Sequence, residues 1–248
     1  MFIMTKRLIF SLTLTVVGIF LLADPIQRNL QPFKQLYVKE GIEVVLIKGT
    51  EYNAKVDVSG CNPEDVLTEV NNGRLTIRMR PNGRYRNIEV KVALTYVSLS
   101  EIDVSSAGVV KGSDRLKNEA LEIEVSSAGS LELNILSNSV DLDVSSSGFV
   151  ALNLEVNKLE VEISSAGKVK LTGRVRDQAL DISSGAHYEG FKMISERTLV
   201  DISSGGLAQV YAKEKLDVQA SSGGSVEFQG SPGSLSKRLS SGGSVSQY

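Results

Sequence analysis

The sequence is poor in the residues that build most metal, redox and sugar-stacking sites. Its 248 residues contain no tryptophan, one cysteine (Cys61) and one histidine (His187). A single cysteine excludes an internal disulfide bond and a cysteine-based zinc site, so we interpret Cys61 as a buried, unreactive thiol. A single histidine excludes a site that needs two. We expect His187 to be an exposed corner residue, and we expect no catalytic, cofactor-binding or metal-binding residues.

An excess of charge of one sign is also missing. The chain carries 27 Lys and Arg against 29 Asp and Glu, a formal net charge of −2. A nucleic-acid-binding protein needs a clustered basic surface, so nucleic acid is not an expected partner. The glycines recur at a long period instead of within one strand–helix turn, which argues against a phosphate-binding loop.

Residues 1–24 have the pattern of an export signal. Two basic residues precede an apolar run of 15 residues, Leu8–Leu22. The run is shorter than the about 20 residues of a membrane-spanning helix. Leu21 stands where a cleavage site usually has a small residue, so an uncleaved anchor stays open, with membrane contact only through residues 8–22. In either case we expect residues 25–248 to form one exported domain, in the periplasm, on the outer membrane surface or secreted.

One five-residue phrase occurs eight times in residues 101–248; seven copies have the form S-S-x-G preceded by an apolar residue, and the fifth copy is ISSGA. The spacings between the first serines are 21, 19, 19, 19, 20, 18 and 19 residues. Such a constant period is typical of a solenoid, in which each repeat buries its apolar face against its neighbours.

The residues before each phrase alternate between apolar and acidic, as in LEIEV at Leu121–Val125 and LEVEI at Leu159–Ile163. A period of two indicates a β-strand with its carboxylates on one face. A second apolar segment follows each phrase, so we expect two short strands and two or three corners in each coil of about 19 residues. The six-residue motif of left-handed β-helices is not found. The sequence therefore predicts an all-β fold, a right-handed parallel β-helix.

Each phrase predicts a corner of the coil. We expect positive φ in the glycine column, and a close approach of stacked backbones in the column of small residues before it. The fifth phrase has Gly185 followed by Ala186, so we expect the special backbone position to shift there by one residue. The serine hydroxyls are expected to form hydrogen-bonded ladders. The predicted turn glycines are Gly108, Gly129, Gly148, Gly167, Gly185, Gly206, Gly224 and Gly243.

Residues 31–100 lack the phrase but contain several strand patterns. Between them lies NPEDVLTEVNNG, in which Asn62 can cap a short helix, Pro63 suits its first position and Asn72–Gly73 can end it. We interpret this region as the first coils, with strands and a short helix that cap the amino-terminal end.

These features together resemble the head GIN domain family, described as autotransporter adhesin heads of Gram-negative envelopes. The resemblance rests on the export signal, the VKEGIEVVL strand (Val38–Leu46), the strand–helix–LTI segment and the tandem S-S-x-G coils, and covers roughly residues 30–248. It implies a right-handed β-helix similar to pectin lyases, no known catalytic residues and a role in adhesion.

The acidic face of the coils is the strongest chemical feature. Carboxylates recur two and four positions before the first serines, and Glu122, Asp141 and Glu160 form the candidate acidic interaction face. A solvated face that keeps the sheet soluble is the plain interpretation, and a site for calcium or a basic partner is the alternative. The glycine–aspartate turn of calcium-binding β-rolls is absent. Basic residues nearby would partly neutralise this face: Lys117, Lys158 and Lys215.

Three functions are compatible with the sequence. The first is a non-enzymatic module that binds an envelope protein or a glycan, as an adhesin does. The second is an envelope scaffold that self-associates, although Lys237 and Arg238 at the carboxy-terminal end would oppose stacking and favour a monomer. The third is a glycan lyase or hydrolase, which needs a local carboxylate cluster that the repeat columns do not show. Two S-x-x-K matches, at Ser165 and Ser234, are interpreted as coincidences.

Overall fold

The computed structural model describes residues 25–248, which form a parallel β-solenoid of about eight turns. The predicted fold class is confirmed, and the right-handed sense of the coil stays a prediction. The segment expected to be an export signal or anchor lies outside the described residues. In the described part, no helix is long and apolar enough to cross a membrane.

The described chain contains 17 strands and one short 3-10 helix, Pro63–Asp65. The strands are β1 (Ile26–Asn29), β2 (Gln35–Val38), β3 (Glu43–Lys48), β4 (Asn53–Ser59), β5 (Val66–Asn71), β6 (Arg74–Met79), β7 (Glu89–Tyr96), β8 (Glu101–Val104), β9 (Val109–Val125), β10 (Ser130–Val144), β11 (Phe149–Ile163), β12 (Lys168–Ile182), β13 (His187–Ile202), β14 (Leu207–Ala220), β15 (Ser225–Gln229), β16 (Ser234–Leu239) and β17 (Ser244–Gln247).

Strands β9 to β14 pair side by side, all in parallel, with the repeat period as their register. Leu142 of β10 lies opposite Ile123 of β9 and Val161 of β11. These three side chains are at most 1% exposed, while the acidic residues on either side of each face solvent. The alternation therefore builds one continuous apolar core along the solenoid. Burial of apolar surface at about 25 cal/mol per Å² is what holds such a stack together.

Each coil is one long strand instead of the two short strands predicted. Strands β10, β11 and β12 each run for 15 residues without a break. Strand β11 pairs with β10 and β12 without a register shift. The register shifts where β9 pairs with β10 and where β12 pairs with β13, and the extra residues lie in β9 and β13, as in a β-bulge. The S-S-x-G corner separates each long strand from the next.

The prediction that the corner glycines have positive φ is wrong for the glycine column. In the first phrase, positive φ occurs at Ser106 (52°) and Ala107 (60°), and Gly108 is not in that region. The Gly108 N–H donates to the Ser105 carbonyl oxygen over 2.9 Å. Two central residues with positive φ and this hydrogen bond define a type I′ turn. In all eight phrases, the second serine and the residue after it have positive φ.

Space, instead of φ, explains the glycine column. A Cβ built on Gly148 would lie 2.5 Å from the Val125 carbonyl oxygen, and one on Gly129 would lie 2.3 Å from that of Val104. At Gly205, in the third position, a Cβ would meet nothing within 4 Å. We predicted positive φ at the last residue of the phrase and a close backbone approach at the residue before it. The structure has the close approach at the last residue and the positive φ at the residue before it. The residue after the turn enters the next strand directly against the preceding coil, so a side chain is crowded at most corners, and Ala186 of the fifth phrase is the exception.

The fifth phrase does not shift by one residue as predicted. Ser184 (φ 54°) and Gly185 (φ 69°) hold the two central turn positions, as in the other coils. Ala186 takes the fourth position and is 1% exposed. Gly185 therefore belongs to the third column of the phrase, and the turn itself is unchanged.

The ladder at the corner is made of backbone groups. The Ser126 N–H donates to the Val104 carbonyl oxygen over 3.0 Å, and the Ala107 N–H donates to the Ser127 carbonyl oxygen over 3.0 Å. Equivalent bonds link the successive corners. The hydroxyl ladder that we predicted is not formed within residues 25–248, where the second serine of each phrase is exposed to solvent.

The amino-terminal coils are stacked out of chain order. Strand β2 lies between β6 and β8, and β3 lies between β7 and β9, all in parallel. The coil made by β6 and β7 therefore lies outside the coil made by β2 and β3, although it follows in sequence. Strand β4 pairs antiparallel with β7, β1 with β4, and β5 with β6. These antiparallel strands end the parallel stack and form the expected cap.

The coil of β2 and β3 has a corner that the sequence did not reveal. In VKEGI, Glu40 (φ 64°) and Gly41 (φ 71°) take the two central turn positions. The Gly41 N–H donates to the Ser106 carbonyl oxygen over 3.0 Å, as in the S-S-x-G corners. The phrase is thus one version of a turn that other residues can also form.

The predicted short helix is confirmed only at its start. The Asn62 side chain accepts a hydrogen bond from the Glu64 N–H over 3.0 Å, but the helix ends at Asp65. Asn72 (φ 52°) and Gly73 (φ 78°) instead form the turn of the β5–β6 hairpin, since Asn-Gly is the preferred pair for a type I′ turn. Cys61, predicted to be buried, is half-buried, and burial raises the pKa of its thiol.

Candidate functional site

Two rows of carboxylates run along the outer face of the solenoid. Residues on this face follow one another in register from coil to coil. The candidate residues Glu122, Asp141 and Glu160 are directly adjacent and exposed. Row A consists of Glu101, Glu122, Asp141 and Glu160, and row B consists of Asp103, Glu124, Asp143, Glu162, Asp181 and Asp201.

Row A is interrupted after its fourth member. Ala179 lies opposite Glu160 in the next coil, followed by Leu199 and then Asp217. Leu199 is 47% exposed, so a short apolar surface separates Asp217 from the rest of the row. Asp217 lies in the predicted column, but it is not adjacent to Glu160.

Row A lines an open groove parallel to the solenoid axis. The groove has a volume of about 540 Å³, and small residues, including Ala120 and Ser139, lie on its other side. Lys158 and Glu160 belong both to this groove and to a second depression of about 270 Å³, which is lined by Ala179 and Leu199. The two depressions follow one another along the coils, the first acidic and the second mixed, and are together called the long groove.

Ion pairs neutralise the second part of the groove. Lys158 Nζ lies 2.7 Å from Glu160 Oε1, and Lys215 Nζ lies 2.8 Å from Asp217 Oδ2. The predicted neutralisation by these two lysines is confirmed, whereas Lys117 forms no ion pair within residues 25–248. Exposed pairs of this kind contribute about 0–1 kcal/mol to stability, so their main effect is on the local field.

The amino-terminal end of row A is fixed by hydrogen bonds. Gln35 Nε2 donates to Glu101 Oε2 over 2.6 Å, and the Tyr37 hydroxyl donates to Glu101 Oε1. The Arg74 guanidinium lies 4.2 Å from the centre of the Tyr37 ring. Burial, followed by the contact with Glu101, raises the pKa of Tyr37 to about 12. The Glu101 carboxylate is therefore held in place, unlike those of Glu122 and Asp141.

Row B carries unfavourable charge. Burial raises the pKa of Asp103, Glu124 and Asp143 above the usual range of carboxyl groups. Neighbouring carboxylates add to this effect: Asp103 and Asp143 act on Glu124, and Asp141 acts on Asp143. Like charges in register on adjacent strands are destabilising, so this face costs the fold some stability.

The acidic rows do not converge on a point. Within residues 25–248, no group of three or more His, Cys, Asp and Glu side chains could hold a metal ion. In the first S-x-x-K match, Ser165 lies in a turn and Lys168 begins β12. The second, at Ser234, lies within β16. Neither stands at the helix start that this motif requires. His187 is the half-buried first residue of β13.

Sequence reasoning missed a buried polar cluster inside the fifth and sixth coils. Gln178 and Thr198 lie in an inward-facing row with Leu159. Gln178 Oε1 accepts a hydrogen bond from the buried Tyr188 hydroxyl over 3.2 Å, and the Ser195 hydroxyl contacts that of Thr198. Gln178 and Thr198 stand in a sequence column that is otherwise apolar, and this was the feature of the sequence from which the cluster could have been predicted. Every member has a partner, so the cluster is structural.

A basic loop at the amino-terminal end was also missed. Residues 80–87 join β6 to β7 and contain Arg80, Arg84 and Arg86, all exposed. The dense arginines were visible in the sequence, but a net charge near zero concealed their local concentration.

The chain is similar to one family and to several solved structures. The family model described as "Putative auto-transporter adhesin, head GIN domain" matches residues 32–232, which confirms the resemblance. A "putative adhesin" from Parabacteroides distasonis has a TM-score of 0.82 at 18% identity, over 90% of this chain and 96% of that chain. A second, from Parabacteroides merdae, has a TM-score of 0.82 at 17% identity, over 90% and 95%.

Another solved structure with this fold has a different description. A "putative lipid binding protein" from Parabacteroides distasonis has a TM-score of 0.78 at 19% identity, over 91% of this chain and 97% of that chain. At such identities the similarity establishes the fold alone. Among curated proteins, no relative of this chain was found.

Proposed function

Because the chain belongs to the family described as "Putative auto-transporter adhesin, head GIN domain", we propose that it is a non-enzymatic binding module of the cell envelope that acts in adhesion. The family is adhesin-like, which indicates an extracellular or envelope-exposed protein. We place this chain in the periplasm, on the outer membrane surface or outside the cell, following its export pattern.

The observation that carries this proposal is the long groove beside row A. It extends from coil to coil along the solenoid, about 4.8 Å per coil, with a row of carboxylates in its first part and apolar and ion-paired side chains in its second. A repeating linear surface suits an extended ligand, such as a glycan chain or a segment of an envelope protein. The acidic first part of the groove favours ligands with cationic groups. The second part, in which lysines and carboxylates form ion pairs, offers both hydrogen-bond donors and acceptors.

An enzyme is less well supported. A glycosidase needs one acid and one base in distinct environments, so that their pKa values differ. Row A instead supplies one exposed carboxylate per coil, at Glu122, Asp141 and Glu160. A lipid held inside the solenoid, as the description of one structural neighbour would suggest, is also less well supported, because the interior is filled by side chains.

Binding to envelope preparations tests the proposal. The full chain and the triple variant Glu122→Gln, Asp141→Gln, Glu160→Gln are compared for binding to isolated envelope proteins and to arrayed glycans. Loss of at least about tenfold in affinity in the triple variant supports the groove as the binding site. The matched control changes three exposed carboxylates elsewhere, Glu119, Glu189 and Glu196, to Gln.

Two outcomes would contradict the proposal. Equal losses in the triple variant and its control would assign binding to net charge instead of the groove. Turnover of a glycan by the wild type, abolished in the triple variant, would support an enzyme. Sedimentation of the wild type alone tests the remaining alternative, a self-associating scaffold.

A further inference from the structure

The loop of residues 80–87 occupies a distinctive place in the stack. It connects β6 to β7 in the outermost coil, where the later coils have the S-S-x-G corner. Those later corners consist of serine, alanine and glycine and carry no charge. The loop, hereafter the basic loop, thus lies at the end of an edge whose only other charged corner is the β2–β3 turn, which carries one residue of each sign, Lys39 and Glu40, within residues 25–248.

The basic loop is folded on itself. The Tyr85 hydroxyl donates to the Arg80 carbonyl oxygen over 3.1 Å, and the Tyr85 ring covers Gly83, where a Cβ would lie 2.1 Å from it. Tyr85 is half-buried, while its neighbours Arg84 and Arg86 are exposed. The loop therefore turns its tyrosine towards the protein and presents two arginines to solvent.

These two arginines are not neutralised by the protein. Arg80 lies 3.7 Å from Asp65, but Arg84 and Arg86 form no ion pair within residues 25–248. Charge is also divided along the molecule. Residues 25–96 carry 11 Lys and Arg against 8 Asp and Glu, whereas residues 97–248 carry 14 against 20. The amino-terminal end is therefore the basic end of an otherwise acidic solenoid.

We propose that the basic loop binds the anionic headgroups of a lipid surface and so orients the solenoid with its amino-terminal end towards the membrane. Guanidinium groups match phosphate oxygens in charge and in geometry. Each arginine near an anionic membrane surface strengthens binding to that surface, and two such residues together raise the affinity for the membrane by about 10- to 30-fold. This contact is separate from the groove and independent of what the groove binds.

The course of the chain favours a membrane as the occupant. Only three residues separate the apolar segment expected at residues 8–22 from Ile26, the first residue of β1. Ile26 lies opposite Val56 of β4, and Gly60, just beyond β4, contacts Asn87 of the basic loop. Strand β1 therefore begins at the same end of the solenoid as the loop.

Flotation with lipid vesicles tests the proposal. The full chain and the Arg84→Gln, Arg86→Gln variant are mixed with vesicles of phosphatidylcholine, alone or with 30% phosphatidylglycerol, at low and physiological salt. Both proteins contain the same apolar segment, so their difference reports the loop. We expect the wild type to bind the anionic vesicles about 10- to 30-fold more tightly than the variant at low salt, with a smaller difference at higher salt.

A matched control is available in the fifth coil. Arg174 and Arg176 are exposed and spaced like Arg84 and Arg86, so Arg174→Gln, Arg176→Gln removes the same formal charge elsewhere, although Arg176 lies 3.0 Å from Asp177. This control should bind like the wild type, and all three proteins should melt at similar temperatures. Equal binding by the loop variant and the wild type would overturn the proposal, as would an equal loss in the control. Wild-type binding to a soluble polyanion but not to anionic vesicles would also overturn it.

Discussion

The Val125 carbonyl oxygen occupies the space that a side chain on Gly148 would need, since a Cβ there would lie only 2.5 Å away. The preceding residue, Ser147, has a φ of 62° and an exposed side chain. Two adjacent residues of one corner are therefore small for different reasons. Gly148 is restricted by its neighbour in the stack, and Ser147 is restricted by its own backbone.

The contact at Gly148 predicts that Gly148→Ala destabilises the protein by about 1–3 kcal/mol, because stacked backbones must move apart. Gly148→Val should cost more. Denaturant unfolding of each variant measures the change. Glu160→Ala, at an exposed position, serves as the control. A variant Gly148→Ala as stable as the wild type would show that the corner can open without cost.

The φ at Ser147 predicts the opposite effect one residue earlier. Ser147→Gly should stabilise the protein by about 0.5–1 kcal/mol, because glycine adopts positive φ without the steric cost that other residues bear. This net value allows for the greater entropy that glycine gives the unfolded chain. The same measurement applies. Gly205→Ala, at the equivalent position of the sixth phrase, is the reverse change and should destabilise. Destabilisation by Ser147→Gly would contradict this account of the turn.

The corner shows where sequence reasoning stops. The period, the strand faces and the carboxylate rows follow from the order of residues, because alternation and repetition are properties of the chain. Whether Ala107 or Gly108 has positive φ depends on the register between coils, which a single coil does not encode. The order of the amino-terminal coils was hidden for the same reason, since β2 pairs with strands that follow it at a distance.

The candidate site was predictable to a similar extent. Glu122, Asp141 and Glu160 were placed together by the period alone. The groove beside them depends on side-chain size at Ala120 and Ser139 and on the interruption at Ala179, which gain meaning only when coils are stacked. The basic loop required knowledge of where the cap places residues 80–87.

Row B predicts a pH dependence of stability. The pKa values of Asp103, Glu124 and Asp143 are raised in the folded protein, first by burial. The folded state then binds protons more tightly than the unfolded chain, so stability is lost as the pH rises through the folded-state pKa values. The melting temperature should therefore increase as the pH is lowered from 7 towards the range in which these carboxyl groups are protonated.

Glu124→Gln checks the origin of this effect. It should raise the melting temperature at pH 7 and reduce the gain on acidification, because it removes one of the titrating groups. Asp177 acts in the opposite direction, since the hydrogen bond from Arg197 lowers its pKa. The contribution of Asp177 to folding stability is lost only as the pH falls below about 4. A melting temperature that decreases steadily from pH 7 to 5 would contradict the prediction.

Row A predicts a weak response to calcium. Its exposed carboxylates lie in a line and do not converge, so binding at millimolar calcium should raise the melting temperature by no more than about 1–2 °C. The Glu122→Gln, Asp141→Gln, Glu160→Gln variant should be as stable as the wild type or more stable, because repulsion is removed. Calorimetry with and without calcium tests both statements. A large stabilisation by calcium that the variant abolishes would identify a calcium site.

The eighth coil predicts which residue controls association. Strand β16 pairs with β14 so that Lys237 lies opposite the buried Val218, in the inward row, while Arg238 lies opposite Gln219 on the outer face. Lys237 Nζ is 5.4 Å from the centre of the Phe228 ring, and the flanking Leu235 and Leu239 are 42% and 49% exposed. A charge pointing inward at the edge of a sheet opposes stacking by another strand, because pairing would bury it.

Lys237→Val should therefore increase self-association, measured by sedimentation of the full chain across a range of concentrations, whereas Arg238→Val should have little effect. The contrast between two adjacent residues of equal charge separates an inward charge from simple repulsion between basic ends. Simple repulsion would make both variants associate, and high salt would then drive the wild type to associate as well. A tight wild-type dimer at low salt would contradict the monomer favoured by the sequence, and would make the eighth coil an interface instead of a protected edge.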